Sequence, residues 1–185
     1  RNEDGTISAT AFLVDGTPGR MRRYLITLGP DGSLRRVGGE LPQDECGRTV
    51  GKSNVITPYC AQVIVGHSPQ RGIVVSAVTV MNGVRPAAFN VTARLPTGDV
   101  LYARTFVVPV QRIPANEVAT FRSENSKRTL PPEVLEFLRR APLPDARPPF
   151  VGIKVAPDGS AWFIRPHAID GHYEYFGIDP TGTLI

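Results

Sequence analysis

Apolar and polar residues alternate with period two along much of the chain, the mark of strands that bury one face. Phe89, Val91, Ala93 and Leu95 alternate with Asn90, Thr92 and Arg94, and Val151, Ile153 and Val155 alternate with Gly152, Lys154 and Ala156. The run Ile73-Val74-Val75-Ser76-Ala77-Val78 is instead almost continuously apolar, as a strand covered on both faces requires. Tyr24 to Leu28 and Tyr102 to Val110 add further strands.

Turn signals separate these runs. Glu3-Asp4-Gly5, Pro30-Asp31-Gly32, Pro69-Gln70-Arg71-Gly72, Pro96-Thr97-Gly98, Pro157-Asp158-Gly159 and Pro180-Thr181-Gly182 each stand before a strand-like segment. Proline presets φ at the start of a turn and glycine supplies a positive φ, so each predicts a tight hairpin. The glycines pair as 5 with 32, 72 with 98 and 159 with 182, at separations of 27, 26 and 23 residues. Two turns about 25 residues apart enclose two strands and their connection, so each pair predicts a four-stranded antiparallel meander, and the unit recurs three times.

One helical insertion interrupts the pattern. Thr129 offers a cap, Pro131 and Pro132 suit a first turn, Glu133 and Glu136 lie towards the positive end, and Arg139 and Arg140 lie at the negative end. Val134, Leu135, Phe137 and Leu138 supply its apolar face, and a shorter helix is expected to start near Asn116. Pro142, Pro144, Pro148 and Pro149 then impose an extended linker. The fold class is therefore all-β, made of blade-like meanders with a short helical insertion, and a β-sandwich is the alternative. Residues 1–113 carry two β repeats, 114–147 the Pro-rich helical insertion, and 148–185 the last repeat.

Composition narrows the functional classes. The 185 residues include 18 glycines and 18 prolines, too many for a bundle of long helices. The net charge of +4 comes from 21 basic residues, of which only Lys52, Lys127 and Lys154 are lysines, set against 17 acidic ones. The arginines are scattered, and no basic run of five or more supports nucleic-acid binding. The longest nearly apolar stretch, Gly72 to Val84, is 13 residues, whereas a membrane-spanning helix needs about 20. The chain is therefore not expected to span a bilayer itself.

Cys46 and Cys60 are the only cysteines. A bridge between them would close a loop of 15 residues counting both ends and constrain the unfolded chain by about 3 kcal/mol. That reading places the protein in an oxidising compartment, periplasmic or extracellular; two separate thiols in a reducing cytosol are the alternative. Neither His67 nor any C-x-x-C spacing completes a zinc set. Arg1 in place of methionine fits a processed terminus and equally a fragment.

The block Pro148-Pro149-Phe150-Val151-Gly152-Ile153-Lys154-Val155-Ala156-Pro157-Asp158-Gly159-Ser160-Ala161-Trp162-Phe163 resembles a strand-turn-strand of secreted bacterial six-bladed β-propellers, related loosely to NHL and TolB-like repeats. Tyr175-Phe176-Gly177-Ile178-Asp179-Pro180-Thr181-Gly182-Thr183-Leu184 resembles the outer hairpin of the same blade. The resemblance implies a partial β-propeller. Closed propellers have typically 4–8 blades, so three units imply either missing blades or a partner that covers open sheet edges.

Candidate chemistry is sparse. His167, Asp170 and His172 bring two imidazoles and a carboxylate within six residues and are weak metal-site candidates. Gly51-Lys52-Ser53 echoes a phosphate loop, but the glycine spacing is wrong and Thr57-Pro58 opposes a following helix. G-x-S-x-G and H-E-x-x-H are both absent. Asn90-Val91-Thr92 matches a glycosylation sequon inside the best alternating strand. Trp162, Phe163, Tyr173, Tyr175 and Phe176 concentrate the aromatic residues, expected as packing between blades or else as a partner-binding surface.

These readings favour a non-catalytic binding or scaffold protein outside the cytoplasm, with no cofactor and with protein partners over its exposed sheet edges. One version is an accessory subunit on the periplasmic face of a membrane complex, with electron-transfer or photosynthetic assemblies among the hosts. The propeller resemblance also implies an alternative, a calcium-dependent lactonase- or esterase-like hydrolase. Its calcium site would need inward acidic and amide residues, whereas Asp99, Asp158 and Asp179 stand in turns.

Overall fold

A computed structural model describes residues 2, 4–14, 21–43, 46–82, 85–166 and 173–185. Its elements are antiparallel strands in small sheets, with two helices between the second and third repeat. Strands β1 (Ile7–Val14), β2 (Met21–Leu28) and β3 (Leu34–Glu40) form the first sheet in that order. A two-stranded hairpin follows, β4 (Gly47–Val50) with β5 (Ser53–Ile56). Strands β6 (Ile64–His67), β7 (Val74–Asn82), β8 (Arg85–Arg94) and β9 (Val100–Phe106) form a four-stranded meander. Helices α1 (Ala115–Ser126) and α2 (Pro132–Arg140) come next, then β10 (Gly152–Val155), β11 (Ala161–Ile164) and β12 (Tyr175–Ile178) in a third sheet.

The six turn glycines all have positive φ, between 62° and 97°. Five of the turns share one hydrogen-bond pattern, seen where Ala156 N–H donates to Ser160 O and Gly159 N–H donates back to Ala156 O. The left-handed glycine closes a three-residue loop that follows a type I turn. The turn at Gly72 is one residue longer, with Ser68 N–H donating to Ile73 O. Side chains reinforce the corners: Asp31 accepts from Ser33 N–H and Oγ, and Asp158 accepts from Ser160 N–H and Oγ. The second and third repeats therefore run strand, glycine turn, strand, long hairpin, strand, glycine turn, strand. In the third, the last strand shrinks to a bridge between Ile178 and Leu184.

The three sheets stack face to face, with the four-stranded sheet in the middle. On one of its faces Val75, Ala77, Phe89, Val91, Ala93 and Tyr102 pack with Phe150, Ala161, Phe163 and Ile178 of the third repeat. On the other, Val74 and Val65 pack against Leu25 and Leu41 of the first. β7 thus buries consecutive residues on opposite sides, which is why its sequence reads as an unbroken apolar run. Among the described residues the sheets are open, and none closes into a barrel.

The middle and third sheets approach most closely at β6 and β10. A side chain on Gly66 would lie 2.8 Å from both Ile153 Cγ2 and Val155 Cγ2, so only glycine fits there. Away from that seam the interface is filled by phenylalanine rings, with Phe89 4.6 Å from Phe150, 5.3 Å from Phe176 and 5.8 Å from Phe163 between centroids.

Several expectations are corrected. The helix near Asn116 is the longer one, 12 residues against 9. Its few apolar residues hid it, and tertiary contacts hold it: Phe121 meets Tyr59 edge-on at 6.0 Å, and Glu117 pairs with Arg147. The N-cap of α2 is Pro131, not Thr129, because Pro132 already sits at its first position. Glu136 pairs with Arg139 and Arg140 rather than acting at the helix start. Val151 lies outside β10, and β9 ends at Phe106 instead of running on to Val110.

Candidate interaction surfaces

Period-two alternation divides the aromatic concentration of the third repeat between two sides. Phe163, fully buried, and Phe176 face the middle sheet and belong to its aromatic core. Trp162 and Tyr175 point the opposite way and are 37% and 48% exposed. Tyr173 precedes β12 and is exposed. The Trp162 ring lies over Gly177, where an added Cβ would come within 2.8 Å of it, with Ile185 alongside. Lys154, Trp162, Ile164 and Tyr175 thus form the outer face of the third sheet, with Ile185 over Gly177.

The far face of the first sheet is also apolar. The register sets Ile7 opposite Leu28, Ala9 opposite Ile26 and Ala11 opposite Tyr24, and carries Ile26 on to Val37 and Leu28 on to Leu34. Leu25 faces the middle sheet, so its neighbours Tyr24 and Ile26 face away. None of these outward residues belongs to either core cluster. Val37 and Leu34 are 45% and 57% exposed. Each end of the stack therefore carries a sheet face with no described element packed on it as a core. Exposed contiguous apolar faces of this kind mark interaction surfaces.

Cys46 and Cys60 are bonded, with Cα atoms 5.5 Å apart. The bridge closes the base of the β4–β5 hairpin, where Thr57 N–H also donates to Cys46 O. Gly51 and Lys52 form that hairpin's two-residue turn, with φ of 59° at Gly51. The phosphate-loop echo is thus a β-hairpin tip.

A cleft of about 430 Å³ opens where turns of the first and second repeats meet, and Asp4, Arg36, Gln70 and Arg71 line it. Another, about 520 Å³, lies between α1 and α2 beside Arg122, Leu135 and Arg139. Neither lining includes a histidine or cysteine. Among the described residues no group of three or more His, Cys, Asp or Glu side chains could hold a metal ion. His167, Asp170 and His172 lie outside the described residues. No described helix is long and apolar enough to cross a membrane.

The turn carboxylates are committed locally. Asp158 accepts from Ser160, Asp179 from Thr181 and Thr183, and these bonds hold both below the usual carboxylate range. Asp99 accepts from Thr97 Oγ1 at 2.6 Å. Burial pushes the Tyr102 hydroxyl up to about 12, with the Asp179 charge adding to it. Asn90 of the sequon accepts from Thr105 Oγ1 at 2.7 Å.

His67, on the β6 face towards the first sheet, has a buried Nδ1 without a hydrogen-bond partner, and burial lowers its pKa below 6.5. The unfolded chain then takes up a proton near pH 6.5 that the folded chain refuses. Its contribution to stability is full above that pH and lost as pH falls towards the folded value. The urea midpoint is expected to drop as pH is lowered from 7 to 5, and His67→Gln should flatten that slope. The turn aspartates act in a lower window, below their unfolded value of 3.8. An unchanged slope in the variant would assign the pH dependence to other groups.

No protein-family model, curated protein or solved structure matches this chain.

Proposed function

We propose that the chain is a non-catalytic scaffold of the partial β-propeller type that works outside the cytoplasm within a protein assembly. The observation that carries this reading is the pair of apolar sheet faces at the two ends of the stack, each equivalent to a face that the middle sheet buries. Apolar faces of that extent are costly in water, and a protein partner removes the cost. The Cys46–Cys60 bond supports an oxidising compartment, because thiols are kept reduced in most cytosols. An accessory subunit on the periplasmic side of a membrane complex is the version that unites the two. The calcium-dependent hydrolase is not carried further, since Asp99, Asp158 and Asp179 are engaged in their own turns.

A photo-reactive residue at Val37 or Tyr175, introduced in the native host, tests this reading. Cross-links from these two positions to protein, with none from the exposed loop residue Val107, are the expected result. Equal labelling at all three, or labelling at none, would contradict it.

A further inference from the structure

The contact between repeats is itself repeated. Gly72 opens the second unit and Gly159 the third, and each presses on the unit before it. A Cβ on Gly72 would lie 2.5 Å from Asn2 Oδ1 and 2.6 Å from Ser8 Oγ, and one on Gly159 would lie 3.0 Å from Ile73 Cδ1. The closing turns behave alike: a Cβ on Gly98 would lie 3.0 Å from Gly39 N in β3, and one on Gly182 would lie 2.9 Å from the Tyr102 ring in β9. β3 and β9 hold the same place in their units, each following the turn that carries the second glycine. The first unit therefore receives the second as the second receives the third.

Such a head-to-tail contact leaves two different unsatisfied surfaces. Counting from the turn glycines, Trp162 and Ile164 stand where Val75 and Ala77 stand in the middle unit. Tyr175 and Gly177 stand where Val91 and Ala93 stand. All four middle-unit residues are buried by the third sheet. At the opposite end, Ile7 and Ala9 stand where Val74 and Ser76 stand, and these are buried on the side facing the first sheet. The outer face of the third sheet is thus a socket, and the outer face of the first is the matching plug. A heterologous contact of this kind either closes into a ring or extends into a filament, depending on the rotation per step. Between the middle and third sheets, the close seam at Gly66 beside a phenylalanine-filled remainder makes the step a wedge, which curves the stack there.

We infer that a second copy of this chain docks head to tail on the first. The outer face of each third sheet covers the outer face of the other copy's first sheet, and two copies close one ring through two equivalent contacts. This inference rests on the reading that protein covers these faces, and it names that protein.

The purified, oxidised chain tests it by light scattering. A discrete particle of twice the 20.1 kDa chain mass is expected. Val37→Arg on the plug and Tyr175→Arg on the socket should each give folded monomers that still melt in one cooperative transition, at a temperature no longer dependent on protein concentration. If either variant fails to fold, Leu34→Arg and Ile185→Arg probe the same faces at residues 57% and 63% exposed. Mixing a plug variant with a socket variant should restore a dimer, because one contact then has two wild-type faces. A symmetric contact between like faces cannot be rescued in that way. A wild-type monomer, a dimer that the variants leave intact, or a mixture that stays monomeric would overturn the inference. A monomer that still cross-links to another protein at Tyr175 in its native host would remove the second copy and leave the scaffold reading standing.

Discussion

Replacing Phe89 by alanine is expected to lower the free energy of unfolding by about 3–5 kcal/mol, the range for emptying a fully buried aromatic site. Phe89 is 1% exposed and contacts the rings of Phe106, Phe150, Phe163 and Phe176. Three of those rings belong to the third repeat or to the linker that leads into it. The loss should therefore uncouple the third sheet from the middle one as well as open a cavity. Equilibrium urea unfolding of wild type and variant measures this, and a second transition in the variant would report the uncoupling. A loss below about 1 kcal/mol, the scale of exposed substitutions, would mean that the two sheets do not share this core. Phe89→Leu keeps most of the apolar volume and should cost less.

Removing the Cys46–Cys60 bond should cost about 3 kcal/mol, the chain-entropy value for a closed loop of this length. The bond spans 14 positions and closes the β4–β5 hairpin, whose two short strands could not hold together alone. Hairpin and bond sit between the first and second repeats, and α2 packs near β4. Reduction is therefore expected to loosen the connection between these repeats while leaving the glycine-turn hairpins intact. The urea midpoint with and without reductant, with Cys46→Ala/Cys60→Ala as control, reads the effect. Equal midpoints would show that the bond contributes nothing to the fold.

The repeat was legible because its signals are local. A proline at the start of a turn and a glycine at its end are set by the φ values of single residues, and these mark all three units. The buried character of β7 was likewise legible, since coverage on both faces leaves no polar alternation to find. Helix α1 is longer than its local pattern predicts because its stability comes from distant partners, Tyr59 and Arg147, which no local pattern reveals. The β4–β5 hairpin leaves no strand signal in the sequence because its strands are only four residues long and mostly exposed.

The two interaction faces were half legible. Trp162 and Phe163 are adjacent in a strand, so they must point to opposite sides, and that alone divides the aromatic cluster into core and surface. What the sequence could not show is that the surface half is the equivalent of a buried face one unit earlier. That equivalence needs the register of three strands and the order of three sheets. The plug face of the first sheet is harder still, because nothing in the pattern of Ile7, Ala9, Tyr24 and Ile26 distinguishes a sheet at the end of the stack from one inside it.

Trp162 is the chain's one tryptophan and stands in the middle of the socket. Its fluorescence therefore reports on the surface at the centre of this account. The decisive measurement is acrylamide quenching of that emission as protein concentration is raised through the range in which light-scattering mass doubles. Emission that shifts to the blue and becomes shielded in step with the mass is the expected result, and Val37→Arg on the opposite end should abolish both changes. A Trp162 signal that stays constant while the mass doubles would contradict the account, because association would then proceed without covering the third sheet.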